Sequence, residues 1–404
     1  MRWRVVSSNP EFRKLWIGQG VSAAGTAVTG MALPLVAVVG LGASAAEMGV
    51  LAALAVVPHL VLGLPAGVWV DRGSRRRFMV VADVGRAGLL AAIPLLAATG
   101  ELRMPHLYVV AVLTGALTVV SDTASLALLP ALVRREELVE ANSASMLSQT
   151  LASTAGPAGA GLLIQLLSAP VAVAVDAVSY VGSAVASFLI KEPPRETPQT
   201  SWPRLDLTTG LKELFRDPVL AGLTRSATVA AVAGAMQGPL VVLYLVRELH
   251  WSPLLVGVAI TTLGASSVFG TLIAPAYSNK LGIGPAYLIG QLIASCAGFA
   301  LALAWWPLVF IGQVMTGLGM PLYGVPQRAL RQALVPDHLL GRTTAAWRTL
   351  VIGGQTVGAL AGGLVGTLLD LRAALVLSSL GMLAGLMLAL LSPVKTLRQL
   401  PSTG

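Results

Sequence analysis

From Leu15 to Leu391 the chain is a succession of apolar runs of about 18 residues or more, broken only by short polar stretches. Few folds survive that pattern. Lipid cannot satisfy exposed backbone groups, so only helices or a closed barrel can span it. Alternation with a period of two is weak, which argues against a barrel and for an all-α integral membrane protein. Composition agrees, with 55% of 404 residues hydrophobic and 11% charged, against about 25% charged in a soluble domain.

Turn residues and polarity breaks divide the sequence into twelve candidate spans, at 15–41, 46–70, 78–99, 105–130, 142–167, 169–190, 219–246, 252–278, 283–304, 306–330, 343–368 and 371–392. The first follows a short basic segment and lacks a small-residue cleavage site, so it is expected to stay as a spanning helix. Cys296 is the only cysteine, which excludes an intramolecular disulfide and leaves it a packing role in an apolar run.

The net charge of +9 is topological. With a cytoplasmic amino terminus, the inner segments collect most basic residues, from Arg2, Arg4, Arg13 and Lys14 to Lys395 and Arg398, while the outer loops hold only Arg103, Arg247 and Arg372. The positive-inside rule then places both termini in the cytoplasm of a multi-pass protein of the inner (plasma) membrane. Anionic inner-leaflet lipid is the implied partner, and no nucleic acid is implied.

The longest polar insertion, residues 191–218, divides the spans six and six. Three expected regions follow: an amino-terminal bundle at 1–190, a cytoplasmic loop at 191–218 and a carboxy-terminal bundle at 219–404. Within the loop, Leu207, Leu211, Leu214 and Phe215 share one helical face, which predicts a segment lying on the inner membrane surface. The halves also repeat. An offset of 202 carries Ala131, Thr154, Gly156, Gly161 and Leu162 onto Ala333, Thr356, Gly358, Gly363 and Leu364, and an offset of 208 carries Gly49 onto Gly257 and Asp71 onto Asn279. Six spans per copy make the repeats parallel, an architecture known in transporters with a substrate cavity between the halves.

The loop between the second and third spans reads GVWVDRGSRRR. It resembles the signature loop of the major facilitator superfamily, with Gly67, Asp71, Arg72, Arg75 and Arg76 matching and Trp69 and Ser74 departing from it. The segment APAYSNKLG looks like a decayed second copy. The resemblance covers essentially the whole chain and implies twelve transmembrane helices in two pseudo-symmetric six-helix bundles. It also implies a latch: Asp71 meets the positive end of the eleventh helix, beginning near Thr343 and Thr344, while Arg75 reaches an acid on the fourth. Asp122 is the only acid on the fourth span, and Arg348 is a second partner for Asp71. Plain positive-inside topology is the alternative for the arginine run.

ASTAGPAGAG, in the fifth span, resembles the Gly-Pro element of proton-coupled exporters through Gly156 and Pro157, with Gly161 following. Close helix packing explains the same residues. Segments at the third span and at the fourth-to-fifth and tenth-to-eleventh junctions look like the branch containing macrolide efflux proteins and the enterobactin exporter.

Ionisable groups inside a membrane are functional candidates because each is costly unless paired or hydrated. Asp83 and Arg86, three apart, suit an ion pair that is structural or takes part in coupling. Asp176 and His59 are each either proton sites or hydrogen-bonded packing groups. By the resemblance, the first, fourth, seventh and tenth spans line the cavity, making Gln19, Met31, Gln237, Tyr244, Gln313, Met315 and Met320 candidates for cargo contact or for packing. Amides and thioethers with few fixed charges suit a large, mostly apolar ligand.

No HExxH, GxxxxGK[ST] or GxSxG occurs, so an enzyme is not expected, and neither is ATP-driven transport. The expectation is a secondary exporter without cofactor or metal, working as a monomer on a proton gradient. It is a drug/proton antiporter exporting a hydrophobic antibiotic or natural product, with a siderophore exporter or a proton-coupled nutrient importer as alternatives.

Overall fold

A computed structural model describes residues 4–63, 65–193 and 207–399. Among these residues the regular structure is entirely helical: α1 Arg4–Ser8, α2 Pro10–Leu35, α3 Ala45–Leu62, α4 Pro65–Arg72, α5 Arg75–Ala98, α6 Met104–Leu132, α7 Leu138–Leu166, α8 Ala169–Phe188, α9 Leu207–Arg216, α10 Pro218–Arg247, α11 Pro253–Leu281, α12 Ile283–Ala302, α13 Trp306–Leu334, α14 Asp337–Leu368 and α15 Leu371–Leu390, with short 3-10 and π turns between them.

Local chemistry sets the starts. Asn9 accepts the N–H groups of Glu11 and Phe12 ahead of Pro10, and Asp217 accepts those of Val219 and Leu220 ahead of Pro218. Both are polar caps followed by a proline whose missing N–H costs nothing there. At the end of α5, Gly100 takes φ 72°, and the N–H groups of Gly100 and Glu101 cover the carbonyls of Ala97 and Leu96.

Among the described residues, eleven helices are long and apolar enough to cross a membrane. The expected fifth span, α7, is 29 residues long but diluted by Ser, Thr, Asn and Gln, so its length alone qualifies it. Large apolar side chains stand exposed on the helices, among them Leu95, Leu126, Leu272 and Leu391. That surface suits lipid and would be a liability in water.

Two of the boundary differences from the sequence expectation bear on the signature loop and on the eleventh helix. The second span, expected at 46–70, is broken into α3 and α4, and Pro65 opens the second piece because it cannot donate to the preceding turn. The eleventh span begins at Asp337, not near Thr343, which is a buried residue in the second turn of α14 donating its hydroxyl to Leu339 O. The free N–H end of that helix thus lies about 9 Å further along the axis than a start at residue 343 would put it.

The chain divides into two compact units: Met1–Ala43, Leu54–Pro203 and Trp251–Val258 form unit 1, and Ser44–Ala53, Arg204–His250 and Ala259–Gly404 form unit 2. Their internal packing repeats. In unit 1, α2 packs on α7 and α8, and α5 on α6 and α8; in unit 2, α10 packs on α14 and α15, and α12 on α13 and α15. The offsets found in sequence relate these helices, with α2 and α10 starting 208 residues apart, α5 and α12 also 208, α6 and α13 202, and α8 and α15 202.

The repeat extends to close approaches. A Cβ on Gly156 would lie 2.4 Å from Ala27, and one on Gly358 would lie 3.0 Å from Ala235, the positions related by the two offsets. Gly161 abuts the Pro253 carbonyl within unit 1, and Gly363 abuts the Ala45 carbonyl within unit 2. The residues of the Gly-Pro element therefore serve tight backbone packing, and α7 continues through Pro157.

In unit 2, α9 buries Gly210 and Leu214 and sets Gly210 against the Arg342 carbonyl of α14. The amphipathic segment is thus docked on α14 through this face. Phe215 stays partly exposed and lies under the Arg225 guanidinium at 5.8 Å. Residues 194–206 of the central loop lie outside the described residues.

Candidate functional site: a charged core within the first helices

Unit 1 is threaded by a polar network that begins at an ion pair. Asp83 and Arg86, on one face of α5, pair through Asp83 Oδ1 and Arg86 Nη2, and both are sealed from solvent, at 1% and 4% exposure. Asp83 Oδ2 accepts the Ser183 hydroxyl of α8 at 2.7 Å. Arg86 donates to Ser121 Oγ at 3.1 Å and Thr118 Oγ1 at 3.3 Å on α6, and its guanidinium lies 4.2 Å from the centre of the Tyr180 ring on α8. Such matching is what a buried pair requires, because desolvating two charges costs several kcal/mol each before they meet.

The network continues outward. The Tyr180 hydroxyl also meets Thr26 Oγ1 of α2 at 2.8 Å. One turn before Tyr180, Asp176 is 1% exposed and accepts the Ser179 hydroxyl at 2.8 Å, while its Oδ2 has no hydrogen-bond partner among the described residues. Gly25 makes room for this pair, since a Cβ there would lie 2.0 Å from Ser179 Oγ and 2.2 Å from Asp176 Oδ1. Arg86 acts electrostatically on Asp176, so this acid belongs to the same field as the ion pair.

Asp122 belongs to this core as well. Its titratable neighbours are Arg86, His59 and Asp83, and it is exposed where Asp83 and Asp176 are not. The expected contact between Asp122 and Arg75 is therefore displaced. Asp122 lies ten residues before the end of α6, about 15 Å from that terminus at the helical rise, whereas Arg75 opens α5. His59, half-buried on α3 after Pro58, is the titratable group facing Asp122 from that helix.

Unit 2 answers with neutral residues at the same positions. The offset relating α5 to α12 puts Gln291 where unit 1 has Asp83 and Ala294 where it has Arg86. The offset relating α8 to α15 puts Ser378 at Asp176, Met382 at Tyr180 and Gly385 at Ser183. Gln291 is fully buried beside Gly385 and accepts the Ser226 hydroxyl at 3.1 Å. The architecture is duplicated and the charge is not.

The signature loop forms a second polar centre in unit 1. Ser74 caps α5, accepting Arg77 N–H at 3.2 Å, and donates its hydroxyl to Glu192 Oε2 at 2.5 Å. The Arg75 and Arg76 N–H groups point to the same carboxylate at 3.1 and 3.4 Å. Arg76 also donates to the carbonyls of Phe188 and Ile190 at 3.3 Å and covers the Phe188 ring at 5.6 Å. Glu192, which the sequence did not single out, thus seats on the positive end of α5. The groove beside it, about 520 Å³, is lined by Asp71, Arg72, Arg76, Arg77, Lys191 and Glu192 among others. Gly67 lies in α4, and Arg348 is exposed on α14.

The cargo-facing candidates separate by exposure. Met31, Tyr244 and Gln313 are sealed, at 2%, 0% and 2%, and the Tyr244 hydroxyl donates to Leu301 O at 3.0 Å. Tyr244 is accordingly a packing residue between α10 and α12. Gln19, bonded to Ser125 Oγ, Gln237 and Met315 are half-buried, and Met320 is exposed.

A sequence profile described as Major Facilitator Superfamily matches residues 15–238 and 225–403. Among curated proteins, the enterobactin exporter EntS of Escherichia coli O6:K15:H31 (strain 536 / UPEC) is 25% identical over 415 aligned residues, covering 98% of this chain and 95% of that one. EntS of Citrobacter koseri is 24% identical over the same coverage. Among solved structures, a bacterial homologue of the human lysosomal transporter Spinster, inward-facing and unoccupied, superposes with TM-score 0.77 at 15% identity, covering 98% of this chain and all of that one. The nucleoside transporter NupG gives TM-score 0.74 at 12% identity, covering 94% and 98%.

Proposed function

Given that the chain belongs to the major facilitator superfamily, and is a multi-pass membrane carrier with no enzymatic role, we propose that it is a proton-driven exporter of a hydrophobic antibiotic or natural product. The observation that carries this reading is the confinement of Asp83, Arg86, Asp122 and Asp176 to the polar core of unit 1, opposite neutral residues at the equivalent positions of unit 2. A titratable cluster inside one of two repeated bodies lets protonation bias that body alone, which is what coupling an ion gradient to alternating access requires.

In this mechanism Asp122 exchanges the proton. It is the exposed acid of the cluster, whereas Asp83 and Asp176 are sealed. Ionised, it competes with Asp83 for Arg86; protonated, it releases Arg86 to Asp83. His59 assists as the facing titratable group. The signature loop serves as the inner latch of this mechanism, with Asp71 as its acid.

Export of a siderophore is the second reading, favoured by similarity to the enterobactin exporters across 98% of the chain. Both readings place the protein in the inner membrane with cytoplasmic termini.

The test uses everted vesicles energised by respiration, with a pH-sensitive dye reporting the lumen while macrolides, tetracyclines, cationic dyes and siderophores are added in turn. The reading expects proton release on addition of a cargo, and its loss in Asp122→Asn with the protein still inserted. Accumulation of a compound by right-side-out vesicles under an inward proton gradient, with no release in everted ones, would replace export by import.

A further inference from the structure

Among the described residues, the one buried arginine outside the charged core is on α13. Arg331 is 8% exposed, and the offset relating α6 to α13 places it where unit 1 has Leu129, an ordinary core leucine at 4%. Arg328 beside it is exposed, whereas Arg331 is covered. Its guanidinium lies over the Trp347 ring of α14 at 4.0 Å. Stacking neutralises part of the charge through the ring face, yet leaves the in-plane N–H groups unanswered.

Two of the nitrogens find no acceptor among the described residues. Arg331 Nε and Nη1 are both buried and without a hydrogen bond. One turn earlier on the same face, Gln327 is 5% exposed and its Nε2 is also unpartnered. Unit 1 shows the contrast: Ser125, the equivalent of Gln327, is bonded to Gln19. Three buried donors within one helical turn and without an acceptor among the described residues are costly in a bilayer, and a charged oxygen is the partner that meets both the charge and the N–H geometry.

We infer that Arg331, Gln327 and Trp347 form a subsite for an acidic oxygen of the cargo, a carboxylate, phenolate or phosphate, preferably one carried on an aromatic ring that shares the indole. This deepens the exporter reading and rests on it: the cargo is anionic at one end and apolar over the rest. The choice of cargo over a lipid headgroup comes from the helix face. Arg331 stands three residues from the end of α13, but it is sealed beneath the Trp347 ring, and Gln327, Met320 and Gln313 lead inward from it as a stripe at intervals of seven, about 27 Å long at the helical rise. Met320, 49% exposed, continues it toward the membrane interior. Access takes a rotamer change at Arg331 or Trp347.

The experiment measures binding of radiolabelled salicylate and of its neutral isostere salicylamide to the full-length protein in phosphatidylcholine nanodiscs, then in discs containing phosphatidylglycerol. Wild type is expected to bind salicylate saturably and salicylamide about tenfold or more weakly, with Arg331→Gln losing about tenfold for salicylate and Arg331→Lys losing less. Gln327→Leu lowers salicylate affinity to a smaller degree without removing the charge, which keeps the test independent of a folding failure at Arg331. Equal affinity for the two probes, unchanged binding in Arg331→Gln, or no saturable salicylate binding by wild type would overturn the subsite. Displacement of salicylate by phosphatidylglycerol, with Arg331 required for that displacement, would assign the site to lipid and overturn the cargo claim. The exporter reading fails separately: everted vesicles that move no compound while salicylate binding remains Arg331-dependent leave the subsite standing and remove transport.

Discussion

Glu192 accepts the Ser74 hydroxyl at 2.5 Å, joining the segment that follows α8 to the first turn of α5 across 118 positions of sequence. The carboxylate covers N–H groups that no intrahelical carbonyl can reach and lies where the helix end is positive. Glu192→Ala is therefore expected to cost about 1 kcal/mol, the usual value of a lost cap, and to lower the unfolding midpoint by a few degrees. Glu192→Gln should cost less, since the amide oxygen still accepts. Thermal unfolding in detergent, compared among the three proteins, checks the order.

Arg86 and Asp83 answer each other in a sealed site. Arg86→Ala alone strands a carboxylate and should destabilise by roughly 3–5 kcal/mol, enough to deplete the protein from the membrane. The double variant Asp83→Gln with Arg86→Ala copies the pair Gln291 and Ala294 that unit 2 already tolerates. Membrane yield and thermal stability should recover in the double variant, while proton-linked flux should not.

Two glycines of α2 make an internal control. Gly25→Ala drives a methyl against Asp176 and Ser179 and is expected to cost about 1–3 kcal/mol as overpacking. Gly30 has nothing within 4 Å of its missing Cβ, so Gly30→Ala should be neutral or stabilising by up to about 1 kcal/mol through helix propensity. Equal effects of the two on unfolding would contradict the packing around Asp176.

The turn into α7 carries a pH signature. The Arg134 guanidinium donates to Glu137 Oε1 at 2.5 Å and its N–H to Oε2 at 3.2 Å, and this hydrogen bonding holds the Glu137 carboxyl below its ordinary value of 4.5. A lowered folded value means the contribution is complete above about pH 4.5 and is lost as acid takes the pH through the folded value. Glu137→Gln should thus lower the unfolding midpoint slightly at neutral pH and merge with wild type in acid. The pair is exposed, so added salt should shrink the difference.

How much of this was legible in sequence depends on the range of the interaction. Hydropathy located the spans, and the offsets of 202 and 208 marked the repeat, because both are local or periodic properties. The charged core was half visible: Asp83 and Arg86 are three residues apart on one helix, and Ser179, Tyr180 and Ser183 follow Asp176 at helical spacing on α8. What periodicity does not reveal is which helices meet. Asp122 was directed to Arg75 by analogy, but α6 places it alongside Arg86 and His59. Glu192 was passed over because its partners lie more than a hundred residues away. Proline and capping chemistry would have split the second span at Pro65, a signal that the uninterrupted apolar run concealed.

The substitution of Gln291 for Asp83 and of Ser378 for Asp176 has an electrical consequence. A membrane potential does work only on charge, about 2.3 kcal/mol per elementary charge per 100 mV. The charges of Asp83, Arg86, Asp122 and Asp176 belong to unit 1, while Arg331 of unit 2 stands three residues from the end of α13, where little of the voltage drop is felt. Voltage therefore acts on the buried acids of unit 1 and meets no charge at their counterparts in unit 2.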